Sequence, residues 1–176
     1  MIDQFLDYMR YERRRSPLTV HEYRETLKLF GEYLKKREDG LSWLSVDADV
    51  VRGWMEEMLD RKVKASTVNT NLSILRSFYR YALKEGWIEQ NPMIRVKGPK
   101  KEKPLPQFVK PSEMDRLIDD YHWEDDFKDT RARTLIILLY ETGMRRTEVT
   151  GLNDADIDWT AGRLKVTGKR NKQRII

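Results

Sequence analysis

The stretch Tyr140-Glu141-Thr142-Gly143-Met144-Arg145-Arg146-Thr147-Glu148-Val149-Thr150-Gly151-Leu152, followed downstream by Gly168-Lys169-Arg170-Asn171-Lys172-Gln173-Arg174, decides how this chain of 176 residues is read. Ahead of it, Thr130 to Tyr140 is apolar on most sides, which predicts a helix lying inside a domain. Gly143 breaks that helix. A short helix is expected over Thr147–Leu152, ended by Asn153-Asp154. Arg163 to Thr167 alternates as a strand does, Gly168 to Asn171 turns, and Gln173 to Ile176 begins a second strand. The segment therefore runs from helix to hairpin, with Arg145 just past one glycine and Lys169 just past another.

Upstream, the periodicity is helical. Ile2, Phe5, Leu6 and Met9 predict a short amphipathic helix that ends around Glu12–Arg15. Ser16-Pro17 offers an N-cap with proline at the first helical position, and Thr19 is an alternative cap. Val20, Tyr23, Leu27, Phe30 and Leu34 then form one apolar stripe, ended by Asp39-Gly40. Val46, Val50, Val51, Trp54, Met55, Met58 and Leu59 predict a third helix with Asp47 or Asp49 near its start. In the fourth, Ser66 or Thr67 is the expected cap. Its stripe is Val68, Leu72, Leu75, Tyr79 and Ala82, and it stops at Gly86. Four such helices can bury a shared core as a small bundle. Residues 95–106 carry Pro99, Pro104 and Pro106 among lysines and read as an extended interdomain linker. The expected domains are thus 1–94 (helical bundle), 95–106 (basic linker) and 107–176, where Pro111-Ser112-Glu113 opens a helix to about Tyr121.

The charges are segregated. The 34 Lys+Arg and 29 Asp+Glu give a net charge of +5, yet Glu113 to Asp129 is strongly acidic and three other stretches are basic. These are Arg61-Lys62-Val63-Lys64, Arg95 to Lys103 with Lys100 and Lys101 at its centre, and Arg163 to Arg174. On the fourth helix, Asn69, Ser73, Arg76, Arg80 and Lys84 recur on one side, the chemistry suited to a major groove and its flanking phosphates. Such clusters point to a polyanionic partner bound on selected faces. With no cysteine and with only His21 and His122, thiolate chemistry is excluded and a histidine metal site is not expected. No apolar run approaches the roughly 20 residues of a membrane span and no signal pattern opens the chain, so a cytoplasmic protein is expected. Three local matches fail. Gly162 to Lys169 has the wrong spacing for a phosphate loop, Asp154-Ala155-Asp156-Ile157-Asp158 lacks the glycine and glutamate of a calcium loop, and Asn71-Leu72-Ser73 sits inside a helix.

The central stretch resembles the tyrosine recombinase family, the phage integrases and Xer-type recombinases. The family pattern T-G-x-R-x-x-E-x-x-x-L is matched by Thr142, Gly143, Arg145, Glu148 and Leu152. The later G-K-x-x-K-x-R is matched by Gly168, Lys169, Lys172 and Arg174. The first half is similar to the family's core-binding domain through Ser16, Thr19, Tyr23, Ser66-Thr67, Leu72, Arg76, Phe78, Gly86 and Asn91-Pro92. The resemblance implies a mainly α fold with a small β-hairpin: a four-helix, SAM-like core-binding bundle linked to the first part of an α+β catalytic domain. It also implies the chemistry. A tyrosine hydroxyl attacks a DNA phosphodiester, giving a 3′-phosphotyrosyl link and a free 5′-hydroxyl, and a second strand reverses the step without cofactor, metal or ATP. Arg145 would bear on the phosphoryl oxygens and Lys169 would protonate the leaving 5′-oxygen, with Glu148 structural or orienting. Duplex DNA would meet Thr19, Arg24 and Lys28 on the second helix, Lys64, Ser66, Asn69, Ser73, Arg76 and Arg80 on the fourth, and Lys101 in the linker. The family's second arginine, its His/Trp and its nucleophilic tyrosine lie beyond Ile176 in that pattern. This chain alone is therefore expected to bind DNA without cleaving it. As the full-length protein it would join a tetramer on two DNA sites, at the nucleoid of a prokaryote or a mobile element, with no membrane or small-molecule substrate. The alternative is a helical DNA-binding regulator without strand-transfer chemistry.

Overall fold

The computed structural model describes every residue except 38, 39, 101–104, 169 and 170. Two compact units divide the chain, Met1–Pro104 and Leu105–Ile176. The fold is mostly helical with one small three-stranded antiparallel sheet.

In the first unit, α1 (Ile2–Asp7) widens into a π-helical turn over Tyr8–Glu12 and is followed by α2 (Pro17–Lys36), α3 (Ala48–Asp60) and α4 (Ala65–Lys84). Ser16 Oγ accepts the Thr19 amide at 3.3 Å, with Pro17 next to it at the first helical position. Asp47 caps α3 by accepting the amides of Asp49 and Val50, each at 2.9 Å. The expected Ser66 or Thr67 cap on α4 is not formed. The Lys64 carbonyl already takes the amides of Thr67 and Val68 at 2.9 and 3.1 Å, so the first turn closes earlier and the helix starts at Ala65. At the other end, Gly86 adopts φ +71°. Its amide reaches the Leu83 carbonyl and the Trp87 amide reaches that of Ala82, the paired bonds of a Schellman stop.

The apolar stripes meet in one core. Leu27, Phe30 and Leu34 of α2, Val50, Val51 and Trp54 of α3, and Val68, Leu72, Leu75, Phe78 and Tyr79 of α4 are all buried, with Phe5 and Leu6 of α1. Phe78 sits at the centre. Its ring is edge-on to Phe5 at 5.4 Å, to Trp43 at 5.1 Å and to Tyr79 at 5.1 Å. Trp43, in the α2–α3 connection, also packs edge-on against Phe30 at 5.3 Å. Its carbonyl accepts the Tyr79 hydroxyl at 3.2 Å, which satisfies a buried polar group. Desolvation raises the pKa of that hydroxyl, so it stays a donor.

The segment after α4 differs from a free spacer. A 3₁₀ turn over Pro92–Arg95 carries buried Met93, and Val96 is buried as well. The Val96 carbonyl accepts from Arg76 Nη2 at 3.0 Å and the Pro99 carbonyl from Asn69 Nδ2 at 2.9 Å. A Cβ on Gly98 would lie 2.2 Å from Asn69 Oδ1. Two apolar side chains and two carbonyls that find side-chain donors are enough to seat this basic stretch on α4, despite its prolines.

In the second unit, α5 (Pro111–Asp115) runs on as a π-helical turn over Arg116–Asp120. Next come α6 (Phe127–Thr142), α7 (Arg146–Val149), β1 (Ile157–Asp158), β2 (Arg163–Thr167) and β3 (Gln173–Ile175). The sheet order is β1-β2-β3, with Leu164 opposite Ile157 and Val166 opposite Arg174. The expectation that α6 lies inside its domain is not met: none of its residues is buried, and Leu135 and Leu139 are over a third exposed. The reason is geometric. Helices of five and four residues and three short strands cannot cover a helix of 16 residues. Among the described residues, no helix is long and apolar enough to cross a membrane.

Phe78→Ala should cost about 3–5 kcal/mol of stability in the first unit, through lost burial and an unfilled cavity. Urea titration followed by helical circular dichroism checks this; a loss under about 1 kcal/mol would show that the ring is not central.

Candidate functional site

The motif around Arg145 is assembled by local backbone chemistry. Gly143 ends α6 at φ +59°, in the left-handed region that a side chain disfavours. The Thr142 hydroxyl donates back to the Leu138 carbonyl and accepts the Met144 amide at 3.2 Å. Met144 is buried, which pins the turn, and the next residue, Arg145, points out with 69% of its side chain exposed.

Glu148, one turn into α7, is the centre of the site. It is charged yet only 4% exposed. Its Oε1 accepts from Arg145 Nη1 at 2.8 Å and from Arg174 Nη1 at 2.9 Å. Its Oε2 accepts the Arg145 amide at 2.9 Å and Arg174 Nη2 at 2.9 Å. The four bonds fill the lone pairs of the carboxylate, and the grip on Arg174 is a two-pronged fork. These bonds hold the Glu148 carboxyl down at about 2, from an ordinary 4.5. The Arg174 side chain contributes most, then the Arg145 amide; burial opposes them. In return the Arg174 pKa is raised.

Gly168 completes the arrangement. A Cβ there would lie 2.7 Å from Glu148 Oε1, so only glycine lets the hairpin approach the carboxylate this closely. Its amide donates to the Lys172 carbonyl at 2.7 Å, closing the turn between β2 and β3. Two guanidiniums, the start of α7 and the root of the hairpin thus converge on one carboxylate. Arg145 has donors left over, directed to solvent and fixed in orientation. A planar cation of that kind suits the oxygens of a phosphate.

Of the residues singled out from sequence, the structure brings Arg145 and Glu148 together. Lys169 and Lys101 lie outside the described residues. On the first unit, Lys28, Lys64, Ser66, Ser73 and Arg80 are exposed. Thr19 shares a hydrogen bond with Ser16, and Arg24 stands 3.7 Å from Asp3. Asn69 and Arg76 each give a donor to the segment after α4, so their free capacity is reduced. Arg174 belongs to the motif, but its spacing alone assigns it no role, because its i+26 separation from Glu148 hides the partnership. The motif match and the acid-free run from Arg163 to Arg174 are its signals in the sequence.

Two family models match the chain: the phage integrase N-terminal SAM-like domain over residues 2–86, and the phage integrase family over residues 107–176. The chain is 35% identical to the tyrosine recombinase XerC of Oceanobacillus iheyensis, over 99% of this chain and 57% of that protein. It is 34% identical to the tyrosine recombinase XerC of Chlorobaculum tepidum, over 99% and 58%. It therefore spans a little over half the length of these curated relatives. Among solved structures, a lambda integrase dimer bound to a COC′ core site is similar with a TM-score of 0.75 at 17% identity, over 99% of this chain and 58% of that one. The Tn1549 transposon integrase in complex with a circular intermediate DNA gives 0.72 at 16%, over 99% and 56%. At these identities the structural likeness speaks for the fold.

Because the Glu148 pKa is lowered in the folded state, its stabilising contribution is complete above about 4.5 and is lost as pH falls through about 2. The stability difference between wild type and Glu148→Gln should therefore shrink over that window. Urea titrations at several pH values check it, and a difference that stays constant would contradict the ion cluster.

Proposed function

Since the chain belongs to the phage integrase family of tyrosine recombinases, we propose that it is the DNA-binding portion and first catalytic part of a site-specific recombinase. The observation that carries this reading is the exposed Arg145 guanidinium, oriented by buried Glu148 beside the root of the β2–β3 hairpin. In the reaction, a tyrosine hydroxyl attacks a DNA phosphodiester and leaves a 3′-phosphotyrosyl bond. Arg145 donates to the non-bridging oxygens, where negative charge grows in the transition state. Lys169, next in sequence to Gly168, gives its proton to the departing 5′-oxygen. Glu148 positions; it does not touch the substrate. The family's second arginine, His/Trp and nucleophilic tyrosine have no counterpart in context among these 176 residues, so the reading gives this chain DNA binding without cleavage.

Duplex DNA is the partner. The accessible residues of the first unit, Thr19, Arg24 and Lys28 on α2 and Lys64, Ser66, Ser73 and Arg80 at the start of and along α4, supply phosphate and groove contacts, with Asn69 and Arg76 contributing what the docked segment leaves free. The similar lambda and Tn1549 integrase structures, both complexes with DNA, support this. The full-length protein would work as a tetramer on two DNA sites, in the cytoplasm at the nucleoid.

Two measurements test the reading. Lys28→Ala with Lys64→Ala should lower the slope of log affinity against log salt by about 0.9 for each phosphate no longer neutralised; an unchanged slope removes that face from the interface. In a clone carrying the continuation of the reading frame, a nicked duplex should trap a covalent protein–DNA adduct. Arg145→Ala should slow its formation by about 10²–10³-fold. An adduct formed at the wild-type rate by that variant, or by the 176-residue chain alone, would overturn the assignment.

A further inference from the structure

The first unit carries a second cationic feature that the sequence pattern did not assemble. Between the π-helical turn after α1, the start of α2 and the later half of α4 lies an open cavity of about 410 Å³, within the roughly 300–1,000 Å³ usual for ligand clefts. Arg13, Arg15, Arg80 and Lys84 line it, and among the described residues no acidic side chain does. Arg13, Arg15 and Arg80 have no carboxylate partner among the described residues, whereas Lys84 stands 3.8 Å from Glu85. Glu12 and Glu85 bear on the Tyr81 hydroxyl in the cavity wall, yet three guanidiniums without an ion pair leave the lining net cationic, which favours an anion between them.

The rest of the cavity wall is aromatic and hydroxylic. Tyr8 and Tyr81 stack at 4.7 Å, and Lys84 Nζ lies 5.2 Å from the Tyr8 ring centroid. The hydroxyls of Tyr23 and Ser77, 3.4 Å apart, also line it; Ser77 Oγ donates to the Ser73 carbonyl at 3.1 Å, a bond it exchanges for one to a phosphate oxygen when its proton turns into the cavity. The approach of the arginines is costly in backbone terms. Arg14 has φ +46°, a left-handed conformation that a long side chain rarely adopts. That turn places its two neighbours at one cavity and leaves Arg14 out of the lining, and strain kept at one point is a mark of function.

We propose that this cavity seats a backbone phosphate of the bound DNA strand, with Arg13, Arg15 and Arg80 as its cationic clamp and the Tyr23 and Ser77 hydroxyls as its neutral donors. The proposal rests on the DNA-binding reading above and extends the interface to a loop that reading did not include. Seating one phosphate here fixes the register of the duplex on the unit without reading its sequence.

The test uses the full chain and a fluorescent duplex titrated at several salt concentrations. Arg13→Gln with Arg15→Gln should weaken binding by roughly tenfold at low salt and lower the log–log slope by about 0.9 for each guanidinium that had neutralised a phosphate. Tyr23→Phe with Ser77→Ala should weaken binding a few-fold and leave the slope unchanged, because neutral donors displace no counterions. Lys35→Gln with Lys36→Gln, about 30 Å away at the far end of α2, should change neither. Circular dichroism confirms the fold of each variant. If wild type binds no duplex, the DNA reading itself fails. If wild type binds and the arginine pair is silent, the proposal alone fails. Weakening by the arginine pair with a silent hydroxyl pair would place the phosphate outside the cavity and also overturn it. A calorimetric titration of inorganic phosphate that saturates below millimolar, with the duplex slope unaltered in the arginine pair, would reassign the cavity to a free anion.

Discussion

One buried carboxylate organises the second unit. Glu148 is taken out of water by its place in α7, and a carboxylate so placed is tolerable only if its lone pairs are filled and its charge is met. Arg145 and Arg174 meet both demands from opposite directions in the chain. The consequences run outward. Arg145 is held by its side chain and its amide, the hairpin is anchored by its third strand, and residue 168 must be glycine for the two to approach. Orientation of the Arg145 guanidinium and attachment of the β2–β3 hairpin are thus the same physical event.

The first unit solves a different problem with similar economy. α4 turns one side into an aromatic core around Phe78 and gives part of its polar side to the chain that follows it, through Asn69 and Arg76. On α4 the exposed side chains of Ser73 and Arg80 remain without a side-chain partner among the described residues. Anchoring the segment after the helix leaves less slack than a flexible spacer would.

Much of this is legible in the chain itself. Helix existence and type follow from spacing at Val20 to Leu34 and Val68 to Ala82, and the Ser16-Pro17 and Asp47 caps follow from side-chain chemistry. Gly86 and Gly143 end helices because only a residue without Cβ adopts positive φ without strain. What stays hidden shares a cause: it depends on partners far away in sequence. Trp43 belongs to the core, yet no periodicity marks a loop residue. The stretch after α4 reads as an extended linker because prolines and lysines say nothing of the buried Met93 and Val96 or of the carbonyls that Arg76 and Asn69 reach. α6 reads as internal because composition reports affinity for burial and not whether a cover is present. The role of Arg174 is silent because a fork to a carboxylate 26 residues earlier leaves no local trace. Its partner is legible only as an acid one turn from Arg145.

The most direct test of the organising role of Glu148 is a double-mutant cycle on the stability of the second unit, with Glu148→Gln, Arg174→Gln and the pair measured by urea unfolding at neutral pH. If one carboxylate holds both elements, either single change breaks the fork, and the double variant loses far less than the two single losses added together. Strict additivity would mean that the two side chains act independently and that the hairpin is held against Arg145 by something else.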